Sequence, residues 1–416
     1  MKKSLIYILS SLALAGSIAS CSSDDEGARS KYVAAPVTTP ELTLTASETD
    51  ANEAVNKFSY DFAVKTLTDD YYKEQNVNPA VSPVSAMVCL GVMANSFDDE
   101  ASKKICEMVG VKNQADLNSL ITKLMRFLPD KSNGAVTELA NSVWYAERYE
   151  VKEEYVANMN RTFYSDVTAA DLSSERAMNE IDGWVNEKTH GLIPEISEML
   201  NPSSDLVTVL LNATYFSGAW MNKFDKAKTH ARTFDATTGE VGCEMMYQEM
   251  RRIRYGADEL AQTVVLPFAG SCSMILMLPY ENGSVDGLLT SLDYESWMSG
   301  LNNLALSNVN ISLPKFETEV TLTRLDKVFK SMGCDIDNLS LVKMGIGERS
   351  EFNVFQKNAI SVDEEGAKLA SVTGNTGDTM APSGESVNVD FNRPFVYFVR
   401  NNLSGTILMA GRVERP

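Results

Sequence analysis

Histidine is nearly absent from this chain of 416 residues, which contains only His190 and His230. Nucleophilic catalysis by serine or cysteine usually needs a histidine as the neighbouring base, and zinc sites commonly use several histidines. Such chemistry would therefore depend on one of these two residues. The nucleophile motif GxSxG does not occur. We expect a protein that is not an enzyme and that has no cofactor and no metal site, and a hydrolase is the poorly supported alternative.

The cysteines lack the CxxC spacing that is typical of zinc sites and redox motifs. There are six of them, namely Cys21, Cys89, Cys106, Cys243, Cys272 and Cys334. Without Cys21, which belongs to a targeting segment described below, an odd number remains, and this disfavours a disulfide framework. We expect most of the remaining cysteines to be small buried residues.

Positive charge is also in short supply, because 37 Lys and Arg face 56 Asp and Glu, for a formal net charge of −19. Nucleic acids are bound through clusters of Lys and Arg that neutralise phosphates, so the composition disfavours a nucleic-acid partner. The apolar run near the N-terminus spans about 15 residues, which is too short to cross a bilayer core of ~30 Å. A transmembrane anchor is therefore the weaker interpretation of that run.

The N-terminus has the pattern of a signal peptide. Lys2 and Lys3 precede an apolar run at 5–15, and the residues Ile-Ala-Ser at 18–20 lead into Cys21. A basic start, an apolar run and small residues before the cleavage point define secretory signals. The segment also resembles the lipobox of bacterial lipoproteins, which implies that Cys21 becomes the lipidated first residue of the mature chain.

The segment after Cys21 is polar and contains Pro36 and Pro40. Its first residues, SSDDE at 22–26, resemble the acidic export tag of surface lipoproteins. We expect a signal peptide at 1–20 and a lipidated flexible tether at 21–52. The expected location is the cell envelope, at the outer membrane, with exposure on the cell surface and the leaflet that holds Cys21 left open.

The remaining chain changes from helical to strand patterning along its length. Helical spacing dominates from 53 to about 188, and an apolar run at 206–216 is consistent with a strand buried on both faces. The segments 262–267 and 273–279 favour a hairpin. Helices gathered early and strands gathered late indicate an α+β domain rather than a doubly wound sheet.

One stretch, at 363–392, does not fit a compact domain. It begins with an acidic run and a glycine, and no hydrophobic periodicity survives between Gly374 and Ser386. A strand pattern precedes this stretch and an apolar C-terminal block follows it. Long exposed loops between core strands are uncommon and are usually functional.

Six segments, in one order along the chain, carry a resemblance to a known family. They are NPAVSPVSAMVCLGVMANS at 78–96, WVNEKTHGLIPEI at 184–196, LLNATYFSGAWMNKF at 210–224, ISLPKFE at 311–317, ISVDEEGAKLASVTG at 360–374 and FNRPFVYFVRNNLSGTILMAGRVERP at 391–416. Together they resemble the serpins, a family of serine protease inhibitors, over nearly all of residues 53–416. The resemblance implies a helix-rich N-terminal part packed on large, mainly antiparallel sheets, with an exposed reactive-centre loop at about 364–390.

The resemblance implies inhibition by a suicide-substrate mechanism without catalytic residues. The loop is bait for a serine protease, or for a papain-like cysteine protease, and it inserts into the main sheet as a strand while the acyl-enzyme exists. Serpin loop insertion is itself a standard example of strand addition and of released strain. We expect a monomer whose partner is the target protease. The alternative is a non-inhibitory, serpin-fold binding or chaperone-like surface protein.

The loop hinge can be compared with what insertion requires. Gly366 permits unusual backbone angles, and the residues after it alternate between core and outer face once they form a strand. Ala367, Ser371 and Thr373 would then face the core together with Leu369, whose excess volume costs on the order of 1–3 kcal/mol in a packed site. Whether Leu369 slows or prevents insertion stays open. The predicted hinge comprises Glu364, Glu365, Gly366, Ala367, Lys368, Leu369, Ala370, Ser371, Val372 and Thr373.

The reactive bond is placed by counting the family's usual spacing. The forward count from Gly366 gives the bond between Met380 and Ala381, whereas the backward count from the C-terminal block gives Ser383. Methionine before the bond suits an elastase-like or subtilisin-like pocket. No Arg or Lys lies between Gly374 and Asn392, which disfavours a trypsin-like target.

A polar cluster beneath the main sheet is also implied by the resemblance, with Ser82, Ser85, Asn212 and Gln356 as its members. The family usually supplies a histidine where Gln356 stands, and glutamine can still donate and accept hydrogen bonds. Taken alone, Ser82 and Pro83 are simply a sound helix start. Asn212 alone would be an ordinary buried polar residue.

Overall fold

The computed structural model describes residues 41–75, 77–129, 135–200, 202–337, 339–347, 349–350, 354–367 and 386–416. The predicted signal peptide, Cys21 and most of the predicted tether lie outside these residues. No helix within the described ranges is long and apolar enough to cross a membrane.

Ten α-helices lie in the described part of the chain. They are α1 (Ala46–Thr68), α2 (Asp70–Gln75), α3 (Pro83–Ser96), α4 (Asp99–Val109), α5 (Gln114–Phe127), α6 (Glu153–Phe163), α7 (Glu175–Lys188), α8 (Val285–Ser291), α9 (Tyr294–Asn302) and α10 (Leu325–Ser331).

Helix α1 begins inside the segment that the sequence analysis assigns to the tether. Thr45 and Glu48 form a capping box, in which each side chain accepts a hydrogen bond from the backbone N–H of the other residue. Glu48 and Ala51 are buried. The folded domain therefore starts before residue 53, because its first helix needs these residues for its cap and for its packing.

Helix α3 occupies the centre of the core. Ser82 is its N-cap, and Pro83 fills the first helical position, where a missing backbone N–H costs nothing. Every residue of α3 except Cys89 is buried. A helix that is buried on all sides lies inside a large core rather than on a surface, and α3 accordingly packs against α4, α5 and the C-terminal strands.

The strands in the described part of the chain are short to long, as follows. They are β1 (Ala80–Val81), β2 (Ala135–Ala146), β3 (Ser165–Ala170), β4 (Thr208–Ala219), β5 (His230–Ala236), β6 (Gly239–Ala257), β7 (Ala261–Pro267), β8 (Cys272–Pro279), β9 (Ala305–Pro314), β10 (Phe316–Leu322), β11 (Leu339–Ser340), β12 (Arg349–Ser350), β13 (Gln356–Val362), β14 (Gly366–Ala367), β15 (Val387–Asp390), β16 (Phe395–Asn401) and β17 (Ile407–Val413).

These strands form two large sheets and one small pair. The main sheet has the order β10-β13-β14-β4-β2-β3, and the second sheet has the order β1-β17-β16-β8-β7-β6-β9-β15, with β5 paired to β6. Neighbours are antiparallel except for β2 with β3 and β9 with β15. The α+β class and the mainly antiparallel sheets are as predicted. The predicted hairpin is also present, as β7 and β8.

Two strand predictions need correction. Strand β4 is fully buried on one face and half-buried on the other, so its apolar run does not reflect burial on both faces. The loop predicted at about 364–390 is shorter at both ends, because β14 pairs inside the main sheet and β15 pairs with β9. Both segments are short, and their strand state depends on neighbours that are distant in the sequence.

Candidate functional site at the loop hinge

Several predicted site residues lie outside the described residues. They are Cys21, Lys368, Leu369, Ala370, Ser371, Val372, Thr373, Met380, Ala381 and Ser383. The described part of the site consists of residues 363–367, which end at the last residue of β14, and of the side chains that hold them.

A tight turn carries the chain from β13 into β14. The carboxylate of Asp363 accepts hydrogen bonds from the backbone N–H groups of Glu365 and Gly366, at 2.8 and 3.2 Å. Its own N–H donates to the carbonyl of Gly366 at 2.9 Å. Aspartate commonly builds such turns with its side chain. The turn reverses the chain so that Ala367 returns beside Val362.

The two residues of β14 lie between β13 and β4. Ala367 aligns with Val362 on one side and with Gly218 on the other, and it is 2% exposed. Gly366 has a φ of 157°, and a Cβ placed on it would lie 2.0 Å from the carbonyl oxygen of Gly218. Only glycine fits this position, because any side chain would collide with the backbone of β4.

Glu364 is a buried carboxylate with two side-chain donors. Lys315 Nζ lies 2.9 Å from its Oε1, and the Thr229 hydroxyl donates to the same oxygen at 2.8 Å. Only 6% of the Glu364 side chain is exposed. Burial would raise the pKa of Glu364, but the hydrogen bonds from Lys315 and Thr229 outweigh it and hold the pKa below its usual value. The hinge is therefore held by a charged contact that is largely shielded from water.

Glu365 points to a more exposed pair of lysines. Lys223 and Lys226 lie 2.6 and 3.0 Å from its carboxylate oxygens, and the side chain is about half-exposed. Their hydrogen bonds lower the pKa of Glu365. Solvent screening weakens such contacts, so this pair contributes less to stability than the Glu364 contacts.

Trp220 holds the backbone of the same turn. Its indole N–H donates to the carbonyl of Asp363, and its backbone N–H donates to the carbonyl of Glu365, both at 2.9 Å. The ring stacks on Phe268 with centroids 4.5 Å apart. Trp220 therefore links the hinge to the aromatic packing at the end of β4.

The hinge contacts include residues that the sequence analysis did not single out. Lys315 lies in the quoted segment ISLPKFE and Lys223 in WMNKF, so the motifs contained them. Nothing in the linear spacing relates either lysine to Glu364 or Glu365. Thr229 carried no sequence signal of its role.

Three members of the predicted polar cluster meet. The backbone of Ser82 donates to Gln356 Oε1 at 3.1 Å, and Gln356 Nε2 donates back to the Ser82 carbonyl at 2.9 Å. The Ser82 hydroxyl donates to the Leu408 carbonyl at 2.8 Å and accepts from the backbone N–H of Ser85. The amide of Gln356 thus connects β13 of the main sheet to the start of α3.

Asn212 belongs to a different network. It donates to Asn141 Oδ1 at 2.5 Å across the β2–β4 pair, and the hydroxyl of Thr214 donates to it at 3.2 Å. Asn141 in turn donates to the Phe163 carbonyl at 2.8 Å. The structure therefore places Asn212 in contacts between β2, β4 and α6, apart from the Ser82–Gln356 pair.

The two histidines have other surroundings. His190 Nε2 lies 2.7 Å from the carboxylate of Glu138, and His230 Nδ1 lies 2.9 Å from the carbonyl of Lys228. Among the described residues, no group of three His, Cys, Asp or Glu side chains could hold a metal ion.

Comparison with known proteins agrees with this architecture. The family model "Serpin (serine protease inhibitor)" matches residues 53–416. Serine protease inhibitor 42Dd from Drosophila melanogaster is 30% identical over 356 residues, covering 82% of this chain and 92% of that protein. The leukocyte elastase inhibitor of Homo sapiens is 27% identical over 361 residues, covering 81% and 91% respectively.

A solved structure shows the same fold. The thermophilic serpin tengpin in its native state superposes with a TM-score of 0.77 at 26% identity, covering 92% of this chain and 97% of tengpin. Serpins are in general protease inhibitors rather than catalytic enzymes. From the family match over most of the chain and the shared fold, this protein belongs to the serpin family.

Proposed function

We propose that this protein is a suicide-substrate inhibitor of serine proteases, with papain-like cysteine proteases as a second class of target. The observation that carries the proposal is β14, where Gly366 and Ala367 already form a strand between β13 and β4. In the described part of the chain, β13 and β4 are joined in the sheet only through these two residues. Insertion of the loop would extend an existing ladder rather than start a new one.

The proposed chemistry is that of the protease, interrupted halfway. The protease serine attacks the carbonyl carbon before the cleaved bond and forms an ester, and the chain after that bond leaves with a protonated new amino terminus. Water would normally hydrolyse the ester. Insertion competes with this hydrolysis, because each inserted residue pairs its backbone N–H and C=O with β13 and β4.

The proposed reactive bond is Met380–Ala381, with Ser383 as the second choice. An apolar residue before the bond suits an elastase-like or subtilisin-like protease. The similarity to the human leukocyte elastase inhibitor supports the first of these classes. The absence of Arg and Lys between Gly374 and Asn392 supports the exclusion of trypsin-like targets.

The proposed location is the cell envelope, through a lipid on Cys21. The signal-peptide pattern before Cys21 and the polar residues after it support this assignment. Metabolic labelling with a radioactive fatty acid is expected to label the wild-type protein but not the Cys21→Ala variant. Labelling of both proteins would contradict the lipid anchor at this position.

The central test is to incubate the mature protein with neutrophil-type elastase and with subtilisin. We expect a covalent complex that survives SDS and a released C-terminal peptide that begins at Ala381. Cleavage without any complex would refute the inhibitory mechanism and favour the non-inhibitory binding role. A complex with a peptide that begins elsewhere would refute only the position of the bond.

A further inference from the structure

An arginine cluster stands on the second sheet of this acidic protein. Arg251, Arg252 and Arg254 lie in β6 and are exposed, on a chain with a formal net charge of −19. Arg254 donates a hydrogen bond to the carbonyl of Leu301. The side chains of Arg251 and Arg252 have no ion-pair or hydrogen-bond partner in the described part of the chain. Two free guanidinium groups are thus available to a partner.

A β-bulge exposes both of these arginines. The register between β6 and β9 shifts between Met250 and Ile253, and Arg252 has a φ of 56°. In a regular strand adjacent side chains point to opposite faces, so one of two successive arginines would turn inward. Here Met250 and Ile253 are both buried while the arginines between them are both exposed. The bulge re-aims the side chains, at a left-handed backbone position that residues with a Cβ rarely adopt.

The bulge lies level with the point where the loop rejoins the domain. Val387, the first residue of β15, pairs with Val309 of β9, and Val309 pairs with Met250 of β6. Residues before Val387 therefore approach the level of Arg251 and Arg252, two strands away. With neighbouring strands ~4.8 Å apart, the separation across the sheet is about 10 Å. A protease bound to the loop would reach this surface.

The neighbours of the cluster favour a protein partner over a polyanion. Leu306, which pairs with Arg254 across the strands, is 59% exposed. Arginine beside exposed apolar surface is typical of protein interfaces. Glu249 is also exposed on the same strand and would repel a polyanion, whereas a protein surface can be complementary to both signs.

We propose that Arg251 and Arg252, with Leu306 beside them, form a secondary contact for an acidic patch on the target protease. This inference rests on the proposed inhibitory function and adds a determinant of target choice outside the loop. Guanidinium groups pair with carboxylates through two parallel hydrogen bonds. Such complementary charges speed association and discriminate between partners.

The test uses one protease with two surface charges. Subtilisin is succinylated at its lysines to make its surface acidic, or acetimidated to keep the positive charge. Against succinylated subtilisin, the R251E/R252E variant is expected to lose about tenfold in association rate constant at low ionic strength and less at high ionic strength. Its stoichiometry of inhibition and its rate with acetimidated subtilisin should change little. R251A/R252A should give a smaller loss in the same direction.

The matched control is R161E/R176E, which makes the same change of charge at exposed positions on α6 and α7. An equal loss of rate in both charge-reversed variants would overturn the inference, because only the overall field would then matter. Retention on dextran sulfate that needs Arg251 and Arg252, with unchanged rates towards both subtilisins, would also overturn it in favour of a polyanion.

A failure of the proposed function would be recognised separately, because wild-type protein would then form no covalent complex with either subtilisin. In that case, succinylated subtilisin blocked at its active serine with phenylmethylsulfonyl fluoride provides the decision by direct binding. Weaker binding to R251E/R252E than to R161E/R176E supports the contact. Equal binding overturns it.

Discussion

At the scale of single residues, the hinge depends on the contact between Lys315 and the buried carboxylate of Glu364. In Lys315→Ala, that carboxylate loses its counter-ion while only 6% of its side chain is exposed. We expect the free energy of unfolding to fall by about 2 kcal/mol, less than for a fully buried pair because Lys315 itself is partly exposed. Glu364→Gln keeps a polar group for Thr229 and should cost only about 1 kcal/mol. Urea denaturation measures both changes.

The control for this prediction is a surface pair of similar geometry. Lys330 lies 2.6 Å from Asp335, and about half of each side chain is exposed. Lys330→Ala should therefore change the free energy of unfolding by less than ~1 kcal/mol. If Lys315→Ala costs no more than Lys330→Ala, burial of Glu364 does not strengthen the hinge contact.

Glu48 gives the domain a measurable dependence on pH. Burial would raise its pKa, but hydrogen bonds from Lys123, Ser119 and Thr45 lower it to about 2, from 4.5. A lowered pKa in the folded state contributes stability above the unfolded pKa, and this contribution disappears as the pH falls from about 4.5 to about 2. Relative to Glu48→Gln, wild-type protein should therefore be more stable by on the order of 2 kcal/mol at pH 6 and nearly equal near pH 2.

Thermal unfolding at a series of pH values measures the Glu48 effect, and Glu259→Gln, at an exposed position, serves as the control. A constant difference between wild-type and Glu48→Gln protein at all pH values would show that the carboxylate does not carry the effect.

The residue scale also shows where sequence reasoning stops. Gly366 could be identified because its motif is local and because glycine has a recognisable backbone role. The contact of Glu364 with Lys315 and Thr229 could not be identified, since it joins residues far apart in the sequence. Such a contact exists only after β9, β13 and the start of β5 have been brought together.

At the scale of elements, insertion depends on the fit of Ala367 between β13 and β4. Ala367→Arg would place a charged side chain at a position that is 2% exposed, at a cost of several kcal/mol. Because each 1.4 kcal/mol changes a rate tenfold, hydrolysis should overtake insertion by at least about tenfold. We expect the variant to be cleaved as a substrate without forming an SDS-stable complex. The stoichiometry of inhibition provides the measurement.

The control for Ala367→Arg is Ser361→Arg, on the half-exposed face of β13. This variant has the same added side chain but leaves the gap between β13 and β4 unfilled, so it should still form the complex. Loss of the complex in both variants would indicate general damage to the sheet. Retention of the complex in Ala367→Arg would refute insertion through β14.

Element boundaries were predictable where the signal is local and not where it depends on partners. The capping box of Thr45 and Glu48 can be read from the sequence, but the polar composition of 21–52 favoured a tether and concealed the start of α1. Strand β14 has two residues and no periodicity, so only its neighbours in the sheet define it. The long hairpin of β7 and β8, by contrast, carries its own pattern.

At the scale of the whole molecule, the order of the motifs along the chain was enough to predict the serpin fold, because each motif marks a separate part of one core. The same order says nothing about the relation between the sheets. The alignment of Val387 with Met250 through β9 follows from strand register, which the sequence alone does not determine. Target choice outside the loop was therefore beyond sequence analysis.

The last prediction concerns stability after the loop is cut. Cleavage frees the segment after Ala367 to enter the main sheet, where ten or so new backbone hydrogen bonds would stabilise the fold by about 10 kcal/mol. With about 2 °C per kcal/mol for a large domain, the melting temperature should rise by about 20 °C. Ala367→Arg cut at the same bond should show no such rise, because its first inserted residue does not fit. An unchanged melting temperature for cleaved wild-type protein would mean that the sheet does not accept the loop, and the inhibitory mechanism would then be wrong.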